Sequence, residues 1–305
     1  IQTSLVGSEM CIRDRTYTGS LDQVASKVFW AAVAINNFIV IGADAANAFA
    51  EAGAPKAPLF VSIDKPFREW YKSRYPNEPD LHEKAVLPVH GALQGHPESP
   101  RLWSKLIDGI IKELNLQPCH HEPCLYYTNN IFGTKKTVLF LRQVDDFAVA
   151  CQDKETAEKV IQAIDSKMTI KIKNLGMLSR FNGIDILQTK HYVKLFNKTY
   201  INKISSHHHW LAEDNTPMHE FPIPMNAEND YKRQLETAIP LTEEELKQYE
   251  KQIGFGYRQA IGEIIYAMVT CRLDISFPII KLAQYSTKPA KIHFQAVQEI
   301  FRYLN

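Results

Sequence analysis

Two adjacent aspartates, Asp145 and Asp146, lie between two apolar runs of β type at residues 137–142 and 147–151. This pattern predicts a hairpin with both carboxylates at its tight turn. Adjacent carboxylates repel each other and are costly to bury without a partner, so a bound cation is one explanation for the pair. The alternative, which the pair taken alone favours, is a solvated hairpin tip, because Asp is a favoured turn residue.

A third carboxylate, Asp44, ends an apolar run at residues 38–43 that is typical of a buried strand, and a helix-prone segment follows. Mg²⁺ is usually held by one or two carboxylates together with substrate phosphates. If the two strand ends meet at one edge of a sheet, their carboxylates form a site for two metal ions about 4 Å apart, which can activate a hydroxyl nucleophile and stabilise a leaving pyrophosphate. Asp44 is also a candidate N-cap for the helix, and one residue can serve both purposes.

The loop Gln94–Pro100 stands directly before another predicted helix, which begins with a capping Ser99 and with Pro100 at its first position. Gly95 in this loop permits close backbone approach, and the N-terminus of a helix favours an anion. By itself the loop is only a weak indication of an anion site.

Taken in order, these three features resemble the polymerase motifs A, B and C of reverse transcriptases. The ordered series is far more specific than the three carboxylates alone, and the resemblance covers roughly residues 17–305. Further blocks sharpen it to the copia-type retrotransposon class, and they are Asp44–Phe49, Arg101–Trp103, Phe181–Ile184, Tyr257–Tyr266, Arg272–Ile275 and His293–Leu304.

The resemblance implies an RNA-directed DNA polymerase that adds dNTPs to a primer 3′-hydroxyl on an RNA or DNA template. Asp44, Asp145 and Asp146 would be its catalytic carboxylates and would hold two Mg²⁺ ions, for which Mn²⁺ can substitute. The backbone carbonyl of Ala45 would complete the metal site. The rival hypothesis is a catalytically inactive, nucleic-acid-binding remnant of such an element.

The nucleotide pocket implied by the resemblance contains Phe49, Gln94 and Gly95 besides Ala45. Phe49 would lie under the sugar of the incoming nucleotide, where a large flat ring excludes a ribose 2′-hydroxyl, the group that distinguishes RNA from DNA.

A basic block, residues 166–203, carries eight Lys and Arg against one acid and would face the template–primer backbone. The nucleic-acid contacts expected from the resemblance are Gln143, Lys167, Lys171, Lys173 and Arg180. For several of the lysines, a merely solvated charged face remains the alternative. Three residues depart from the class, which has tyrosine at Gln143, leucine at Asn182 and proline at Leu273.

The elements that must position these residues are predicted from hydrophobic periodicity and capping. Helices are predicted at residues 20–35, 153–167, 257–270 and 291–304, and a further helix begins at Ser99. A second hairpin is predicted at residues 184–196, and Thr242–Glu245 is predicted to form a capping box. The resemblance implies an α+β fold, in which a reverse-transcriptase palm, a small antiparallel sheet backed by helices, precedes a helical thumb and connection, with the fingers largely missing.

The expected organisation has five parts. They are a non-native or disordered tail at residues 1–15, a palm with motifs A, B and C at 16–165 and a basic palm–thumb segment at 166–210. An acidic linker at 211–250 and a helical connection toward a missing RNase H region at 251–305 follow.

Composition limits the remaining classes of function. The 305 residues are 45% hydrophobic with a net charge of +1, which supports a folded core and excludes a histone-like polycation. Five cysteines, an odd and sparse set, argue against a disulfide-stapled secreted domain. No run reaches about 18 apolar residues, so no membrane partner is expected. The resemblance implies work in a cytoplasmic virus-like particle or the nucleus, together with the integrase and RNase H segments of a Pol polyprotein.

Overall fold

A computed structural model describes residues 18–208, 222–226 and 228–304 of the chain. The chain divides into two compact units, and the boundary falls between Leu178 and Ser179. Each unit has a hydrophobic cluster of its own. The tail expected at residues 1–15 lies outside the described residues.

The first unit alternates helices and strands. They are α1 (Gln23–Ile35), β1 (Ile39–Ala45), α2 (Ala48–Glu51), β2 (Leu59–Ser62), α3 (Lys65–Arg74), β3 (Val86–Val89), α4 (Ser99–Glu113), β4 (Gln117–Pro118), β5 (Leu125–Thr128), β6 (Val138–Gln143), β7 (Asp146–Cys151), α5 (Lys154–Asp165) and β8 (Ile172–Met177).

Six of these strands form one antiparallel sheet in the order β4–β5–β6–β7–β1–β8. The hairpin of β6 and β7 confirms the one predicted from the sequence, although Asp146 is the first residue of β7, so that only Val144 and Asp145 form the turn. Strand β1 lies between β7 and β8, so the strand that carries Asp44 is an interior strand of the sheet.

Helices α4 and α5 contribute to the same apolar cluster as the sheet. Helix α4 begins at Ser99, one residue earlier than predicted, so its N-cap is Glu98 and the prediction that Ser99 caps it was wrong; its buried residues recur at helical spacing. Helix α5 begins after Asp153, whose carboxylate accepts a hydrogen bond from the backbone N–H of Thr156. The mixed fold with a small antiparallel sheet and backing helices is therefore confirmed.

The stretch between α2 and α4 contains two further strands and a helix. Strands β2 and β3 pair antiparallel, and helix α3 lies between them in the chain. Asp64 caps α3 by accepting a hydrogen bond from the N–H of Phe67, and Pro66 lies in its first turn. None of the residues of α3 is buried, although Phe67, Trp70 and Tyr71 recur at helical spacing on it.

The second unit combines a three-stranded sheet, in the order β11–β10–β9, with a set of helices. Its elements are β9 (Arg180–Phe181), β10 (Ile184–Gln188), β11 (Val193–Phe196), α6 (Lys198–His207), α7 (Asn229–Thr237), α8 (Glu243–Ile253), α9 (Tyr257–Thr270), a 3₁₀ turn (Leu273–Ile275), α10 (Ser276–Ala283) and α11 (Lys291–Leu304). The bounds of α9 and α11 match the predicted helices, and the capping box of α8 is confirmed.

The turn between β9 and β10 explains one departure from the class. Asn182 and Gly183 form a two-residue loop, with φ of 47° and 77° respectively. Two consecutive residues at positive φ are what a type I′ hairpin turn requires, and Asn-Gly is the preferred pair for it. The hydroxyl of Tyr266 donates to the carbonyl of Asn182 over 3.1 Å, so two of the sequence blocks meet here.

The acidic segment expected to be an exposed linker differs from that expectation in its described part. It contains α7 and most of α8, and Leu235 on α7 is fully buried in the cluster of the second unit. The acidic residues of α7 and α8 therefore lie on the outer surfaces of packed helices. One apolar stripe on each helix is enough to pack it against the cluster of the second unit.

No helix in the described residues is long and apolar enough to cross a membrane.

A buried histidine joins two helices of the second unit. His293 on α11 is 1% exposed, its Nδ1 accepts a hydrogen bond from the N–H of Ala290, and its Nε2 lies 2.8 Å from the carbonyl oxygen of Leu235. These partners fit a neutral ring with the proton on Nε2. Burial lowers the pKa of His293 below its ordinary value, because it penalises the charged ring.

We expect the second unit to lose stability at acidic pH through His293. Its pKa is lower in the folded state than in the unfolded chain, so its contribution is complete above a pH of about 6.5 and is lost as the pH falls, by at most about 1.4 kcal/mol per pH unit. Urea unfolding of the wild type and of His293→Gln between pH 7.5 and 5.5 measures this, since the amide can keep one hydrogen bond without titrating. An identical pH slope in the two proteins would contradict the assignment.

Candidate active site

The end of the β1–β7 pair brings the three aspartates together. Asp44 on β1 stands directly opposite Asp146 on β7, and the N–H of Ala45 donates to the carbonyl of Asp145 over 3.0 Å. Directly opposed residues of an antiparallel pair project from the same face, with Cβ atoms about 4.5–5.5 Å apart. Asp44 and Asp146 are partly exposed and Asp145 is exposed, so solvent and ions have access to these carboxylates.

The charges around Asp44 are arranged in one row across the sheet. Asp146 lies opposite it on β7, and Lys173 lies opposite it on β8. Like charges directly opposite each other destabilise a sheet, whereas the lysine on the other side offsets part of that repulsion. The row therefore leaves an excess of negative charge where β1, β7 and the turn meet.

The turn that carries Asp145 has an unusual backbone. Val144 has φ of 55°, in the left-handed region that a β-branched residue rarely adopts. Its carbonyl accepts a hydrogen bond of 2.7 Å from the indole Nε1 of Trp103, a residue of α4 that is only 1% exposed.

Helix α2 follows β1 after a short turn, and this corrects one expectation. Its N-cap is Asn47, with φ of 51°, so Asp44 does not serve as the N-cap. Phe49, on α2, is partly buried and packs against the core of the first unit.

The loop before α4 holds Gln94 and Gly95 at the surface. Both residues are exposed, and Gly95 has φ of 89°, where a residue with a side chain would be strained. The loop is anchored by buried Ser99, whose hydroxyl donates to the carbonyl of Leu93 over 2.6 Å.

The basic residues predicted to contact nucleic acid have different neighbours within their own units. Lys173 lies beside Asp44, whereas Lys167 pairs with Glu113 and Lys171 lies 3.3 Å from Asp165. Arg180 belongs to the second unit, where it stands opposite Asp185.

The side chain of Gln143 has a structural contact. Its carbonyl oxygen accepts a hydrogen bond of 3.1 Å from the N–H of Leu21, just before α1. One polar atom of the expected primer contact is therefore engaged within the first unit.

A comparison with known families identifies the family of this chain. The family described as reverse transcriptase (RNA-dependent DNA polymerase) matches residues 29–223. The chain belongs to this family. The matched residues include all three aspartates and the loop before α4.

Two individual relatives are transposon proteins. A retrovirus-related Pol polyprotein from transposon TNT 1-94 of Nicotiana tabacum is 25% identical over 237 residues, which are 75% of this chain and 17% of that protein. A putative transposon Ty5-1 protein of Saccharomyces cerevisiae is 26% identical over 222 residues, 72% of this chain and 64% of that protein. The chain thus spans less than two thirds of the length of either relative.

A shorter match joins 48 residues of the chain, 16% of it, at 38% identity to 34% of a protein named secreted RxLR effector protein 161 of Plasmopara viticola. The family match and the two transposon relatives confirm the predicted resemblance to copia-type retrotransposon reverse transcriptases.

One residue at this candidate site was not assigned a role from the sequence. Trp103 entered only as an apolar position of α4 and as part of the block after motif B. A buried Trp usually finds an acceptor for its indole N–H, and this was the available indication that it contacts a backbone carbonyl. The sequence does not reveal that the acceptor is Val144, 41 residues away.

Two glycine substitutions should have opposite effects on the first unit. Gly95→Ala forces a side chain into a left-handed conformation and should lower the free energy of unfolding by about 1 kcal/mol. Gly109→Ala, at an exposed position inside α4 with open space around it, should raise it by up to about 1 kcal/mol. Urea unfolding measures both variants, and equal effects would show that the loop before α4 does not hold the backbone described.

Proposed function

We propose that the chain is the RNA-directed DNA polymerase domain of a copia-type retrotransposon, which joins dNTPs to a primer 3′-hydroxyl on an RNA or DNA template. The observation that carries the proposal is the register of β1 and β7, which puts Asp44 opposite Asp146 and next to the turn at Asp145. The reverse transcriptase family match supports the same reaction.

The acidic side chains fit divalent cations by their chemistry. Carboxylate oxygens are the preferred ligands of Mg²⁺, and the facing pair of Asp44 and Asp146 has a negative charge that a cation would relieve. Within the described residues, no group of three or more His, Cys, Asp or Glu side chains is already arranged around a common point. In the proposal, Asp44, Asp145 and Asp146 hold two Mg²⁺ or Mn²⁺ ions, with the carbonyl of Ala45 as a further ligand.

When bound, such ions lower the pKa of the attacking hydroxyl and stabilise the charge of the leaving pyrophosphate. The residues of the chain position the carboxylates that hold the ions. The interior strand β1 and the start of β7 hold two carboxylates on one face of the sheet, and the turn presents the third.

Selection of deoxynucleotides is proposed for Phe49. Its ring is anchored on the core of the first unit, so it can act as a fixed wall under the sugar. Gln94 and Gly95, exposed in the loop before α4, are proposed to line the rest of the nucleotide pocket.

Template–primer binding is proposed for Lys173, Lys167, Lys171 and Arg180, with Gln143 at the primer end. Lys173 is exposed beside the acidic row. The ion pairs of Lys167 and Lys171 involve partly exposed side chains, and such pairs contribute little, about 0–1 kcal/mol. Nucleic-acid phosphates can therefore compete for both lysines, with release of counterions.

The parts of the polymerase are proposed as follows. The sheet of the first unit with α4 and α5 is the palm, and the helices of the second unit form the thumb and connection.

The integrase and RNase H segments of a Pol polyprotein are the proposed partners, and a cytoplasmic virus-like particle or the nucleus is the proposed location.

Primer extension tests the activity directly. With an oligonucleotide primer on an RNA template, dNTPs and Mg²⁺, the 305-residue chain should extend the primer, and Asp145→Asn should reduce the rate at least about 100-fold, because one charged ligand is lost. Asp80→Asn is the matched control, since this aspartate pairs with Lys72 at the surface, with both side chains more than half exposed.

An unchanged rate in Asp145→Asn would contradict the assigned chemistry. Salt-sensitive binding of the primed template without any extension would contradict the polymerase proposal and favour the non-catalytic remnant.

Metal binding has a readout that does not need activity. A cation that binds only the folded chain stabilises it by about 1.4 kcal/mol at ten times its dissociation constant. Adding Mg²⁺ to a chelator-treated sample should therefore raise the free energy of unfolding of the wild type and of Asp80→Asn, but not that of the Asp44→Asn, Asp145→Asn double variant. Equal stabilisation in all three proteins would place any metal elsewhere.

A further inference from the structure

A tryptophan of α4 is tied to the turn that carries the candidate catalytic aspartates. The indole Nε1 of Trp103 donates a 2.7 Å hydrogen bond to the carbonyl oxygen of Val144. This hydrogen bond joins the block after motif B to motif C. Neither residue carries a charge that could bind a metal ion or a phosphate.

The turn requires support because its first residue is strained. Val144 has φ of 55°, and a non-glycine residue held in such a region costs of order 1–3 kcal/mol unless its surroundings fix it. Its side chain is 40% exposed, so packing around the side chain supplies little of that support. The β6–β7 pairing closes the turn at Gln143 and Asp146, and the hydrogen bond to the indole is a further contact that holds its backbone.

The direction of this hydrogen bond matters for Asp145. The carbonyl of Val144 belongs to the planar peptide group that leads into Asp145, so the indole fixes the orientation of that plane. The next carbonyl, that of Asp145, accepts the N–H of Ala45 over 3.0 Å. Both peptide planes that flank the Cα of Asp145 are thus tethered, one by α4 and one by β1.

The indole is itself anchored in the core. Its ring stacks on that of Phe147, with centroids 6.5 Å apart and an angle of 16° between the planes. Phe147 directly follows Asp146 on β7 and is 1% exposed. A single aromatic contact therefore supports both the tether and the strand that begins with the second aspartate.

We propose that Trp103 is a positioning residue for the reaction. Its indole N–H holds the left-handed turn at Val144 and thereby fixes Asp145 and Asp146 relative to Asp44. The assignment rests on the proposed polymerase function, whereas the tether itself is independent of it. Trp103 acts through the turn and contacts no reacting atom.

A double-mutant cycle separates the tether from simple packing. Trp103→Phe keeps an aromatic ring and removes the N–H, and Val144→Gly removes the strain, because glycine adopts positive φ freely. The loss in unfolding equilibrium constant caused by Trp103→Phe should be up to about tenfold in the Val144→Gly background and several-fold smaller in the wild type, because release of the turn also relieves the strain at Val144. Trp30→Phe, at another buried tryptophan of the first unit, should show no such dependence on residue 144.

A kinetic readout tests positioning. In single-nucleotide primer extension, Trp103→Phe should lower kcat about tenfold while KM for the dNTP changes less than about twofold. Trp30→Phe should leave both constants unchanged.

The proposal is overturned if the effects of Trp103→Phe and Val144→Gly on unfolding simply add, or if Trp103→Phe and Trp30→Phe reduce kcat equally. If the wild-type chain extends no primer, the polymerase proposal fails, and the unfolding cycle still decides whether the indole holds the turn.

Discussion

Six residue pairs join β1 to β7, from Ile39 opposite Cys151 to Asp44 opposite Asp146, and this register determines which side chains share a face of the sheet. A shift by one residue would turn Asp44 to the opposite face and separate it from Asp146. Val40 and Ile41 lie on opposite faces and are both fully buried, so the same shift would disrupt the packing on both faces of the strand. Burial of ordinary apolar side chains thus holds the acidic site together.

The region around the carboxylates is locally unfavourable, and the core offsets that. Two like charges face each other across the sheet, and a valine adopts a left-handed conformation beside them. Both features lower the stability of the folded chain and persist only where neighbouring contacts are strong. Phe140, Phe147 and Trp103 provide those contacts directly behind the hairpin. Strain confined to one end of a well-packed sheet is typical of functional sites.

Elements with a clear apolar period could be predicted from the sequence. The α4 and α9 helices each bury one face, and the strands of the β6–β7 hairpin are nearly continuous buried apolar runs, so both patterns were informative. Helix α3 and strand β8 bury no residue, and β8 lies at an edge of the sheet. Sequence patterning reports burial, and elements that bury little are missed for that reason.

Of the candidate site, the residue types could be predicted and their geometry could not. The three aspartates were found from their neighbours in the chain. The conformation of Val144 runs against the preference of a β-branched residue; the two-residue hairpin loop imposes it, and the distant indole of Trp103 tethers its carbonyl. Contacts of this kind depend on the assembled core.

The boundary between Leu178 and Ser179 has a consequence for any study of this chain in solution. Two separate apolar clusters can melt as two cooperative blocks, in which case calorimetry gives overlapping heat-absorption peaks and a single midpoint describes neither block. Three of the four tryptophans, Trp30, Trp70 and Trp103, precede the boundary. Their fluorescence would therefore follow mainly the block that carries the aspartates.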